Sequence, residues 1–182
     1  MQQNNPIMSY HTSKKLPYGV SNFITIVEQN NYYVDKTMYI PMLEDEASNL
    51  FFIRPRRFGK SLFLGMLHAY YDCRTKDKFE QWFGKLWIGQ HPTPNQGRYQ
   101  VLHLDFSQVG GKIEKLEENF NFYLGINLDG FVRDYAEYYS EETRKKVYET
   151  TYAGGKLAII QNEARTKNYP LYLIIDEYDN FT

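Results

Sequence analysis

An α/β domain, with helices packed on a parallel sheet, is the fold this sequence predicts, and three observations carry that expectation. Unbroken or alternating apolar runs at residues 50–53, 101–106 and 171–175 read as strands. The stretches between them repeat apolar residues at helical spacing. Strands that alternate with helices pair in parallel through helical crossovers, and sheets of that kind hold ligands at the carboxyl ends of their strands.

The elements follow in chain order. Residues 1–15 are polar and form a tail without the apolar core of a signal peptide, and residues 16–182 form the domain. Phe23, Ile24, Ile26 and Val27 are too irregular to fix an element. Tyr32, Tyr33 and Val34 are extended, and Asp35 caps a helix opening at Lys36. Pro41 then breaks that helix near Ile40 and restarts the next turn. Residues 50–53, Leu-Phe-Phe-Ile, predict a strand buried on both faces. A helix through Tyr71 follows, with Phe63, Met66, Leu67 and Tyr70 on one stripe. Residues 79–88 suggest a short helix, and 91–97, with Pro92 and Pro94, a surface loop. The second strand ends at Asp105. From Leu116 the stripe Phe120, Leu124, Leu128, Phe131, Tyr135 and Tyr138 predicts a long helix, with Gly125 and Gly130 weakening it. The run Thr143 to Lys146 reads as a solvated helix face. A helix over 156–167 precedes the third strand.

Composition narrows the function classes. In 182 residues, 21 basic and 22 acidic side chains leave a net charge of -1, which excludes a strongly basic nucleic-acid coat. No apolar run is long enough for a membrane span, so membrane insertion is disfavoured, and the single cysteine points to a reducing cytoplasmic location. Cys73 is alone, which excludes an internal disulfide, and it reads as a buried, inert thiol. His11, His68, His91 and His103 show no ligand spacing with Cys73 or with one another, so spacing points to no metal other than Mg2+. Many of the 17 tyrosines and 12 phenylalanines can fill a core, the tyrosines at its wet edge, while others can cover surfaces that a further strand would bury.

Two strand ends carry chemistry. Gly59-Lys60-Ser61 stands between the first strand and its helix. Gly59 lets the backbone approach phosphates, Lys60 reaches the β- and γ-phosphates, and the Ser61 hydroxyl can ligate Mg2+. Arg54 stands where the usual phosphate-loop pattern has its first glycine. Arg54, Arg56 and Arg57 either add contacts to a triphosphate, point into solvent, or serve a nucleic-acid backbone. The second end is Ile174-Ile175-Asp176-Glu177. A strand-end Asp176 can hold Mg2+ through its water shell, and Glu177 can polarise an attacking water. The alternative is an ordinary acid capping the next turn.

These blocks together resemble a known family. Tyr33-Val34-Asp35-Lys36-Thr37, Arg54-Pro55-Arg56-Arg57-Phe58-Gly59-Lys60-Ser61, Leu104-Asp105-Phe106-Ser107 and Ile175-Asp176-Glu177-Tyr178-Asp179 are similar, in this order, to the AAA-ATPase-like family of bacterial proteins. The resemblance implies a P-loop NTPase of the additional-strand type, with ATP and Mg2+ as cofactors and Arg54 to Ser61 as the nucleotide-binding block. In such proteins an arginine at the first loop position is normal. Members often carry a nuclease-like C-terminal domain, which implies a nucleic-acid partner for the longer protein. Tyr33 to Thr37 either line the adenine pocket or serve as core and cap. Asp105 either faces the Mg2+ region or caps a turn, and the cap is preferred. The resemblance also implies a further strand, with its γ-phosphate sensor, beyond Thr182. The expectation is therefore a domain cut after the Asp176 strand, whose alternative is a fragment that binds ATP without turnover.

Overall fold

The computed structural model describes residues 14–46, 49–53, 55, 58–110, 112–168 and 170–178. Two strands form its sheet, β1 (Gln100–Asp105) and β2 (Leu171–Asp176). They run parallel, with Gln100 opposite Leu171 and Asp105 opposite Asp176. Eight α-helices surround them among the described residues: α1 (Phe23–Glu28), α2 (Ile40–Asp45), α3 (Lys60–Tyr71), α4 (Phe79–Phe83), α5 (Trp87–Gln90), α6 (Leu116–Asp134), α7 (Glu141–Glu149) and α8 (Ala153–Thr166). The connection from β1 to β2 runs through α6, α7 and α8, as parallel pairing demands.

Strand pleating divides the core in two, because successive side chains leave opposite faces. Val101 and Ile174 face α3, where they join Phe63, Met66, Leu67 and Tyr70, the predicted stripe. Leu102 and Leu104 face the other way and join Leu128, Phe131 and Val132 of α6 and Ile160 of α8. The sheet is therefore the middle of three layers. Buried tyrosines keep their hydroxyls partnered: Tyr71 donates to Glu44 at 3.1 Å, and Tyr135 accepts from the Val101 N–H at 2.8 Å. Both rings are almost fully buried, so these tyrosines stand deeper than a wet edge.

Several expectations are corrected. Residues 50–53 form no strand. Phe51 and Ile53 are 80% and 81% exposed, and only Phe52 turns inward, stacking on Phe63 at 5.0 Å. An apolar run becomes a doubly buried strand only where neighbours pair its edges, and the described sheet has two strands. The same cause leaves β2 incompletely covered, with Leu173 54% and Ile175 37% exposed.

The helix expected at Lys36 begins as a 3-10 turn over Thr37–Tyr39, and the break expected near Ile40 is present, with α2 restarting there and Pro41 in its first turn. The single helix expected over 79–88 is two, α4 and α5. Gly89 explains the tight junction, since a side chain there would collide with the Phe83 carbonyl at 2.2 Å. Residues 23–28, left open by the sequence, form α1, capped by Asn22 accepting from the Thr25 N–H at 2.9 Å. The long helix ends at Asp134, one residue before Tyr135, and the last helix begins earlier than expected, at Ala153. Cys73 is buried and free. No described helix is long and apolar enough to cross a membrane.

Candidate functional site

The carboxyl ends of β1 and β2 open at the same rim as the N-terminus of α3. Gly59 makes that juncture, with φ at 77°, a left-handed conformation that glycine adopts without a Cβ penalty. Its carbonyl accepts the first helical bond, from the Phe63 N–H at 3.0 Å. The next N–H groups of α3 have no intrahelical acceptor, which makes the helix start a natural anion cradle. Pro55 and Phe58 precede it, both exposed, with the Phe58 N–H directed to the Pro55 carbonyl at 3.4 Å. Arg54, Arg56, Arg57 and Asp179 lie outside the described residues.

From the first turn of α3, Lys60 reaches across to the end of β2. Its Nζ stands 3.2 Å from Asp176 Oδ1 and 3.4 Å from Glu177 Oε1. Burial works against the lysine charge, but the two carboxylates outweigh it and hold the pKa of Lys60 above its ordinary value. Asp176 is 5% exposed. Burial alone would raise its pKa; bonds from the Ser61 hydroxyl, Lys60 and the Glu177 N–H reverse that and depress it. Asp176 is therefore a buried carboxylate held by Lys60 Nζ at 3.2 Å and the Glu177 N–H at 2.9 Å, with the Ser61 hydroxyl beside it.

Glu177 is placed by strain. Its φ of 52° lies in the left-handed region, at a cost of roughly 1–2 kcal/mol for a residue with a Cβ. That turn directs its N–H onto Asp176 Oδ1 at 2.9 Å and returns its carboxylate to Lys60. Strain of this sort at a strand end is a common mark of functional positions. Tyr178 adds a ring 5.9 Å from Lys60 Nζ, and Phe51 meets that ring edge-on at 6.2 Å. The apolar segment before the loop, the start of α3 and the end of β2 thus converge. Neither aromatic contact has a local sequence signal, since 127 positions separate the two rings.

The other candidates resolve into structural roles. Asp105 caps the turn after β1, accepting from the Ser107 N–H at 3.0 Å, while its own N–H donates to the Tyr123 hydroxyl at 2.9 Å. Asp35 accepts from the Thr37 N–H at 2.8 Å and also from the Trp87 N–H at 2.7 Å, so it caps its turn and ties it to α5. Tyr33 packs edge-on against Phe23 in the core, whereas Val34 is 60% exposed.

The donor set suits a hard dication. Asp176 and Ser61 offer a carboxylate and a hydroxyl oxygen side by side, and Mg2+ takes few protein oxygens and completes its shell with water and phosphate. Among the described residues no group of three or more His, Cys, Asp and Glu side chains is placed to hold a metal by itself.

The family described as "Predicted AAA-ATPase" (AAA-ATPase-like) matches residues 17–182. A protein of Azotobacter chroococcum mcd 1, named for its position in the vnfD 5' region and otherwise uncharacterised, is 51% identical over 109 residues. That match covers 57% of this chain and 20% of the relative, so the chain spans about a fifth of that protein's length. No solved structure matches.

Proposed function

This chain belongs to the predicted AAA-ATPase family, and from that premise we propose that it binds ATP with Mg2+ at the rim formed by Gly59 to Ser61 and Asp176 to Glu177. The observation that carries the reading is Lys60 held between Asp176 and Glu177, a lysine at a glycine-entered helix start beside two strand-end carboxylates. Lys60 moves from the carboxylates to the β- and γ-phosphates, and the N–H groups at the start of α3 receive the remaining phosphate charge. Arg54, Pro55, Arg56, Arg57 and Phe58 belong to the same proposed nucleotide-binding block. Ser61 and Asp176 are then free to hold Mg2+, which neutralises charge on the phosphate oxygens when bound. Glu177, released from Lys60, orients the attacking water as general base. Wherever a nuclease-like effector domain accompanies this one, we propose that the nucleotide state is coupled to it.

Calorimetry with MgATP tests the reading. Saturable binding is expected for the wild type and none for Lys60→Ala. Equal binding by both proteins sinks the assignment of Lys60 to phosphate. Turnover is followed separately, with Glu177→Gln expected to bind MgATP and lose hydrolysis.

A further inference from the structure

His68 and His103 are 35 positions apart, yet α3 and β1 bring their rings together between helix and sheet. The two Nδ1 atoms stand 3.4 Å apart, with the ring planes inclined by 53°. The other nitrogen of His68, Nε2, lies 3.3 Å from Asp72 Oδ2. Asp72 is 1% exposed and firmly held, accepting from Arg74 Nη2 at 3.0 Å and from the Arg74 N–H at 2.9 Å. An ionised carboxylate can only accept, so neutral His68 carries its proton on Nε2 and leaves the Nδ1 lone pair turned toward His103.

The separation is informative. A hydrogen bond from a ring N–H ordinarily closes to about 2.9–3.0 Å. Two imidazole nitrogens each about 2.0–2.1 Å from one tetrahedral ion stand about 3.3–3.4 Å apart. A carboxylate behind the far nitrogen is also the usual support of a metal-binding histidine.

We propose that His68 and His103 form a two-histidine site for a borderline dication of the Zn2+ class, pinning α3 to β1, with Asp72 orienting His68 from behind. Water fills the remaining positions, because no third His, Cys, Asp or Glu side chain joins them among the described residues. Entry is open from one side. The His68 side chain is 30% exposed, and Gly65, one turn earlier on the same stripe of α3, faces space where a Cβ would meet no atom within 4 Å. Burial is the main influence on His103 and lowers its pKa, against Asp176 and Asp105, which raise it. Imidazole donors select against Mg2+, which separates this site chemically from the oxygen donors Ser61 and Asp176.

The test is a calorimetric titration of Zn2+ into the nucleotide-free chain at neutral pH, with Mg2+ in excess. The wild type is expected to show one saturable site. His68→Gln and His103→Gln each weaken it at least tenfold, and His91→Gln leaves it unchanged. Asp72→Asn weakens it by about 10- to 100-fold, the usual effect of losing an outer-shell partner. Nitrogen-15 spectra give a readout free of folding defects, with the Nδ1 resonances of the folded wild type expected to shift on adding Zn2+. Absence of saturable Zn2+ binding by the wild type, or equal binding by both histidine variants, overturns the proposal.

Discussion

Asp105 and Asp176 occupy the same place in two neighbouring strands: each is the last residue of its strand, and the two are paired across the ladder. Their surroundings differ completely. Asp105 is half-buried, meets a backbone N–H two residues on, and ends a strand beside a 3-10 turn. Asp176 is buried and receives Ser61, Lys60 and the Glu177 N–H. The difference arises from α3, whose N-terminus lies over the end of β2 and supplies both a hydroxyl and an ammonium. A strand-end acid therefore becomes a charge site only where another element brings donors to it. Elsewhere it is a cap.

The largest effect that should separate the two residues is on nucleotide binding. Asp176→Asn is expected to lower MgATP affinity about 100-fold, which is about 2.7 kcal/mol, while Asp105→Asn leaves it within about twofold. Titrations of both variants with and without Mg2+ check this, and equal losses would dissolve the distinction.

A third aspartate sharpens the contrast through pH. Burial alone would raise the pKa of Asp72, yet bonds from His68 and Arg74 depress it from 3.8 to about 2. A depressed carboxylate contributes stability that is fully present above pH 3.8 and is lost as pH falls through about 2. The size corresponds to roughly 2 kcal/mol. Urea unfolding at pH 7 and near pH 2 should show that component in the wild type and a much flatter acid limb in Asp72→Asn.

The smallest effect concerns Asp105 as a cap. Asp105→Ala should cost about 1 kcal/mol of stability, read as a lower urea midpoint at unchanged slope, with MgATP binding intact. A loss of binding there would return Asp105 to the site.

Much of this was legible in the sequence, for identifiable reasons. The stripe of α3, the limits of β1 and β2, and the caps at Asp35 and Asp105 follow from periodicity and side-chain chemistry acting over a few residues. Lys60 and Asp176 were nameable because each sits in a short pattern whose chemistry is local. Residues 50–53 misled because apolarity reports a wish for burial and says nothing of a partner for the edge. The start of α1 carried a readable sign, Asn22 three residues before Thr25, that its irregular apolar pattern obscured. His68 and His103 could not have been paired in advance, because their contact depends on how far α3 slides along β1.

The parallel ladder also bears on how the chain reaches this state. Gln100 finds Leu171 only after 71 intervening steps of chain are organised, and Lys60 finds Asp176 across 116. Closing loops of such length costs little extra in equilibrium terms, since the entropy grows only with the logarithm of length. The burden falls on the folding rate, because distant pairings must be found before they reward the search. The aromatic layer around α3 is assembled largely from residues close in sequence, such as Tyr70, Tyr71, Phe79 and Phe83, and can gather early. The charged rim depends on the longest of these pairings, because Asp176 meets Lys60 only where β2 lies beside β1.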